Sequence, residues 1–94
     1  MYKLSAQALR DQEKLFRYSI SQFGVQQTES YFADLKHILN LLADFPTMGA
    51  SAEHIRGGLR MHTHQSHTIY YRIKADHIFI VRILHNQMNH KRYI

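Results

Sequence analysis

Residues 77–85 read HIFIVRILH, a run that is apolar on both faces of an extended chain except where Arg82 interrupts it. A strand of that kind is buried on both sides and lies inside a sheet, not at its rim. Burying an unpaired guanidinium is costly, so Arg82 must be paired or face an open cleft. Two further runs rich in β-branched and aromatic residues precede it, at 59–63 and 67–74. The segments between them are too short for anything but tight turns. Residues 55–89 therefore predict three consecutive antiparallel strands.

Register decides which side chains share a face, because they alternate along a strand. With Ala75-Asp76 and His64-Gln65 as two-residue tips, Lys74 pairs with His77, Thr63 with Ser66, and Ile69 with both Arg82 and Arg60. One face then carries Arg60, His62, His67, Ile69, Tyr71, Ile73, Ile80 and Arg82. The other carries Leu59, Met61, Tyr70, Phe79, Val81 and Ile83, and its apolar character predicts the helix-packed side. A three-residue loop at a tip would swap faces between strands.

The first half of the chain predicts helices. Tyr2 to Leu4 forms a short apolar opening, suited to an edge strand, and Ser5 can cap the helix that follows. Ala8/Leu9, Leu15/Phe16, Ile20 and Phe23 recur at helical spacing, although Gln12 interrupts the stripe. Gly24 is a natural stop. A second helix, from Val25 or Gln26 to Asp44, has a cleaner stripe of Tyr31/Phe32, Leu35, Ile38/Leu39 and Leu42, and Pro46 ends it. Two long helices separated by one glycine form an antiparallel hairpin. A polar loop follows, with Met48 and Ile55 as anchors, and a basic tail, MNHKRYI, closes the sequence. The expectation is a single domain over residues 1–94 of α+β class. Its order is β-α-α-β-β-β, with the helical hairpin packed on one face of a small, mostly antiparallel sheet.

Composition narrows the function classes. The chain has no cysteine, which excludes disulfides and cysteine-based zinc sites. No apolar run approaches the ~20 residues that span a bilayer, so no membrane role and a cytoplasmic location are the default expectation. The net charge of +5, before any of eight histidines is protonated, favours an acidic partner or nucleic acid. No cofactor motif is present.

Several segments, taken together, resemble a known family. They are Y-K-L-S-x-x-A-x-x-D (Tyr2 to Asp11), the Phe23-Gly24 pair, and D-F-P-x-M-G (Asp44 to Gly49). I-R-x-G-L-R (Ile55 to Arg60), S-H-T-I-Y-Y-R (Ser66 to Arg72) and I-x-I-V-R-I-L-H-x-x-M (Ile78 to Met88) complete the set. In this order they are similar to the ParE branch of the ParE/RelE toxin superfamily. The resemblance implies a toxin of a type II toxin–antitoxin system, neutralised by a cognate antitoxin. ParE-like members are associated with poisoning DNA gyrase; RelE-like members share the fold and cut mRNA on the ribosome. The family commonly has Asp one position after the closing Met; here it is Asn89, so any role for a carboxylate there is lost. His62 and His64 match no histidine motif of the family.

Three readings follow. The first is a non-enzymatic gyrase inhibitor, with the helical hairpin and the tail residues Met88, Asn89, His90, Lys91 and Arg92 as target contacts. The second is an endoribonuclease. Cleavage through the 2′-OH needs a base, a cationic stabiliser and an acid, which Arg60, His62, His67, Tyr71 and Arg82 could supply. The bland alternative makes His67 and His85 hydrogen-bonded structural residues and Arg82 half of an ion pair. The third is a metal site from His62, His64 and His67, which lacks a nearby carboxylate. In every case Ile69, Tyr71, Ile73, Ile80 and Arg82 on the open face are the expected antitoxin contacts. Burial under the chain's own loop, or a homodimer, is the competing reading. Sequence-specific DNA binding is not expected.

Overall fold

The computed structural model describes residues 1–94. Strand β1 (Tyr2–Leu4) leads into a helical stretch, Ala6–Asp44, and a 3-10 turn, Pro46–Met48. Strands β2 (Ala50–Ser51), β3 (Arg60–His64), β4 (His67–Ile73) and β5 (Ile78–His85) follow, and a helical turn, His90–Tyr93, closes the chain. The helical stretch breaks at Gly24, where φ is 83° and ψ is 175°, into α1 (residues 6–23) and α2 (residues 25–44). Space around Gly24 is open, so it is the positive φ that calls for glycine. Ser5 caps α1, its Oγ accepting from the Ala8 amide at 2.9 Å. No helix is long and apolar enough to cross a membrane.

The sheet runs β1-β5-β4-β3-β2, with β1 parallel to β5 and the other neighbours antiparallel. The predicted order holds, with β2 and the closing turn added to it. Register holds from Ile73↔Ile78 to Tyr71↔Ile80 and then changes. A bulge gives β5 one extra residue there, so Tyr70 meets Arg82 and Ile69 meets Ile83, not Arg82. The bulge resets the alternation and moves Ile83 to the face opposite the one predicted. At the other hairpin the tip is Gln65-Ser66, with Gln65 at φ 53°, so Ile69 meets His62 and not Arg60.

The assignment of faces is inverted. Both helices pack on the side predicted to be open, where Ala8, Leu35, Leu39 and Leu42 meet Ile69, Tyr71, Ile78, Ile80 and Ile83. The other side buries Tyr70, Leu59 and Leu84 beneath Ala52, with Ile55, Met61, Val81 and Ile94 packed around them. Ile55 anchors the loop as expected, whereas Met48 is exposed. Both faces are apolar because both are covered. Polar atoms of Tyr71 and Arg60 on the helix side misled the reading, since they find backbone partners there. The Tyr71 hydroxyl donates to the Pro46 carbonyl at 2.6 Å and accepts from the Gly49 amide at 3.1 Å. The Arg60 guanidinium donates to the carbonyls of Thr47 and Gly49. A Cβ on Gly49 would lie 2.3 Å from that hydroxyl, so the D-F-P-x-M-G segment needs glycine for close approach.

Where β1 ends, the edge of β5 passes to α1. The Ser5 amide donates to the Ile80 carbonyl at 2.9 Å and the Ser5 hydroxyl to the Val81 carbonyl at 2.7 Å. Asp11, just under one turn past Ala8 in α1, then accepts three bonds. These come from Arg82 Nε and Nη2, each at 2.8 Å, and from the Ile83 amide at 3.0 Å. Both side chains are largely buried, at 13% and 10% exposure. Removing one partner of such a pair strands the other charge, so Asp11→Ala is expected to cost about 3 kcal/mol. Asp11→Asn keeps an acceptor for the Ile83 amide and is expected to cost less. Urea midpoints of the two variants check both the loss and its order.

Candidate functional site

Arg82 joins three parts of the molecule. Beyond its bidentate pair with Asp11, its Nη1 donates to the Tyr93 carbonyl at 2.6 Å, and its guanidinium lies 5.9 Å from the Tyr93 ring centroid. The Asp11 bond holds the Arg82 pKa above its ordinary value, against the opposing effect of burial. The tail is thus docked, not frayed. A second tether comes from His90: its Nε2 faces the His85 carbonyl at 2.8 Å and so carries the proton, leaving Nδ1 to accept from the Tyr70 hydroxyl. Ile94 completes the seat against the apolar cluster around Tyr70.

Docking the tail through these atoms leaves other side chains of its segment free. Met88, Asn89, Lys91 and Arg92 are exposed, whereas His90 is half-buried. Asn89 stands at the N-cap of the closing turn but makes no side-chain capping bond. Between the tail and α1 runs a cleft of about 440 Å³, lined by Lys14, Tyr18, Arg82, Met88 and Tyr93 among others. Of the predicted target contacts, four of five therefore stand together on an accessible basic rim.

The antitoxin contacts predicted on the sheet fare differently. Ile69, Tyr71 and Ile80 are 0% exposed and belong to the helix-packed core, so they present no surface to a partner. Arg82 is engaged by Asp11 and Tyr93, and Ile73, near the end of β4, is the one residue of that set that is exposed. The accessible apolar surface lies instead on the helices. Leu9 and Phe16 are 48% and 44% exposed, and Phe16 meets Phe32 edge-on with centroids 5.5 Å apart. They flank a groove of about 320 Å³ with Gln12, Glu13 and Arg17 on its rim. The outer edge of β1 lies nearby and is unpaired on the side away from β5. Helical periodicity hid this surface, because α1 turns Asp11 and Ser19 inward and part of its apolar stripe outward.

The groups proposed for RNA cleavage do not converge as a set. Arg60 and Tyr71 are bound to the Pro46–Met48 turn and Gly49, and Arg82 is bound to Asp11. His67 Nδ1 is bonded to the Tyr31 hydroxyl at 2.8 Å. His62 stands across from Ile69. His62, His64 and His67 also fail as a metal set: no three His, Asp or Glu side chains come together as ligands. His67 is turned to Tyr31, its Nδ1 engaged by that hydroxyl.

His67 is the most perturbed group of the site. Burial, then the positive potential of His85 and His64, lowers its pKa from 6.5 to about 4. Burial raises the pKa of Tyr31 and lowers that of His64. The folded state thus binds the His67 proton less readily than the unfolded chain. Its contribution to stability is complete above pH 6.5, falls as the pH drops, and is gone below about pH 4. Allowing for partial solvent access, the effect is on the order of 1–2 kcal/mol. Thermal melts between those limits are expected to show a steeper loss for the native chain than for His67→Gln.

Comparisons with known proteins bear on this geometry. Residues 2–90 match the family model described as the ParE toxin of the type II toxin–antitoxin system, parDE. The chain is 32% identical over 93 residues to Toxin ParE1 of Caulobacter vibrioides, spanning 99% of this chain and 96% of that protein. It is 34% identical over 89 residues to Toxin ParE1 of Mycobacterium tuberculosis, spanning 94% and 91%. A solved structure, the chromosomal ParDE TA system from P. aeruginosa, superposes with a TM-score of 0.77 at 20% identity, covering 89% of this chain and 92% of that one. The last likeness establishes the fold, and the first three the lineage. The chain belongs to the ParE toxin family of type II toxin–antitoxin systems.

Proposed function

We propose that this toxin binds and inhibits DNA gyrase without catalysing a reaction, and that a cognate antitoxin holds it inactive until released. Family membership over nearly the whole chain carries the reading, because ParE-like toxins are associated with gyrase. The docked tail supports it further. A rim of Met88, Asn89, Lys91 and Arg92, held in place through Arg82 and His90, is a contact surface set on a rigid base. Ordering such a segment before binding lowers the entropic cost of association. Ribosome-dependent mRNA cleavage, the RelE-like alternative, has less support, since Arg60, Tyr71, His67 and Arg82 each serve another contact.

The antitoxin surface is assigned to the helical groove at Leu9, Phe16 and Phe32 and the adjoining edge of β1. An amphipathic helix fits an apolar groove between helices, and an extended segment fits an unpaired strand edge. The net charge of +5 suits an acidic partner and speeds its encounter.

A supercoiling assay with the purified chain tests the target. The native toxin is expected to block supercoiling, and the pair Lys91→Ala with Arg92→Ala to need at least about tenfold more protein, in keeping with loss of rim charge. Undisturbed supercoiling together with message cleavage on ribosomes would transfer the toxin to the nuclease class. For the antitoxin, Phe16→Asp is expected to weaken binding by about tenfold to a hundredfold, because it charges an apolar contact. The fold should persist, since Phe16 is already 44% exposed. Calorimetry against the product of the neighbouring reading frame measures the change.

A further inference from the structure

At the closed end of the helical hairpin, beside the Gly24 break, lies a cleft of about 270 Å³ that shares Leu15, Tyr18, His67 and His85 with the cleft under the tail. Its inner wall includes Thr28, Tyr31, His67 and His85, and Leu15, Tyr18 and Phe23 form its apolar side. Thr28 is only 1% exposed, yet its Oγ1 has no hydrogen-bond partner. A hydroxyl buried in a helix ordinarily bonds the carbonyl four residues back. Here that residue is Gly24, whose backbone is not helical, and the bond is not made. An unsatisfied buried hydroxyl is destabilising, and such groups mark a missing partner.

The chemistry of the lining decides what that partner is. No Asp or Glu lines the cleft, and every polar side chain there can donate a hydrogen bond. The cleft also adjoins the first turn of α2, whose cap, Gly24, has no side chain to offer its amides. A helix beginning carries partial positive charge. From Thr28 together with this carboxylate-free wall, whose side chains can all turn a donor inward, we propose that the cleft binds a small organic oxyanion. Its charged head sits between Thr28 and the His67/His85 pair, and its apolar remainder lies against Leu15, Tyr18 and Phe23.

The charged and titratable groups around His67 shape how binding depends on pH. Tyr31 faces it from α2, Tyr18 lines the same cleft from α1, His64 approaches from β3, and His85 from β5 with ring centroids 5.3 Å away. Asp34 acts on His64 from α2. From α1 and β5, Lys14, Asp11 and Arg82 share the adjoining cleft with His67 and His85, Asp11 and Arg82 being paired with each other, so within the site it is a protonated imidazole that would offset an added negative charge. Binding is therefore coupled to proton uptake and tightens as the pH falls.

Phenyl phosphate is the probe that tests the proposal, titrated into the full chain by NMR with inorganic phosphate and phenol as the separate halves. The expected result is saturable shifts at Thr28, His67 and His85, with affinity rising from about pH 8 to about pH 6. Thr28→Val should lower affinity about tenfold, while Thr28→Ser retains it. The two variants differ little in size from threonine, and a melt of each confirms folding. Three outcomes overturn the proposal: no saturable shift at millimolar probe, equal binding by Thr28→Val, or binding that tracks phenol alone. Shifts confined to Lys and Arg residues and abolished by salt would reveal only the general attraction of a cationic protein. Gyrase inhibition does not enter this test, so its outcome is independent of the toxin's target.

Discussion

A single carboxylate, Asp11, holds helix, sheet and tail in one arrangement. Sheet edges must have their amides satisfied or leave them open to strangers. Strand β1 covers β5 only as far as Leu4↔Ile80, and the Ile83 amide beyond it would face a helix with nothing to accept it. Asp11 supplies that acceptor at 3.0 Å and in the same act neutralises Arg82. The helix thereby takes over from β1 the role of a neighbouring strand. Because the guanidinium also donates to the Tyr93 carbonyl, the position of the tail depends on the same pair.

This arrangement separates surfaces by use. The sheet is covered on both sides, by the helices on one and by Ala52, Ile55 and Ile94 on the other, so it offers little to a partner beyond its edges. The contact surfaces proposed above fall on the outer helical groove and on the tail rim. They draw on different chemistry: apolar side chains at Leu9, Phe16 and Phe32, and cationic ones at Lys91 and Arg92. In the proposed function, two surfaces of unlike character let the toxin meet a neutralising partner and a target with different selectivity.

Much of this was legible in the sequence, and what was not has definite causes. The helix break at Gly24, the stop at Pro46 and the three consecutive strands followed from backbone chemistry that acts locally. The faces of the sheet were misassigned because Tyr71 and Arg60 carry polar atoms. The Tyr71 hydroxyl and the Arg60 Nη2 are satisfied by the carbonyls of Pro46, Thr47 and Gly49, partners far away in sequence that no periodicity reveals. The bulge at Val81 moved Ile83 to the other face, and an inserted residue leaves no signature in an alternating apolar run. Arg82 was expected to need a partner, and Asp11 stood in the quoted A-x-x-D motif. What joined them was a contact across 71 residues. Thr28 gave no sign at all, since its missing hydrogen bond arises only from the geometry at Gly24.

Amide hydrogen exchange at Ile83 tests the central role of Asp11 most directly. The Ile83 amide lies on a strand edge that no other strand covers there, so without the carboxylate it would exchange as fast as a free edge. With Asp11 in that role, the Ile83 amide is expected to be protected about as well as that of Ile80, whose strand has β1 beside it. Rapid exchange at Ile83, with Ile80 still protected, would show that Asp11 does not close the edge.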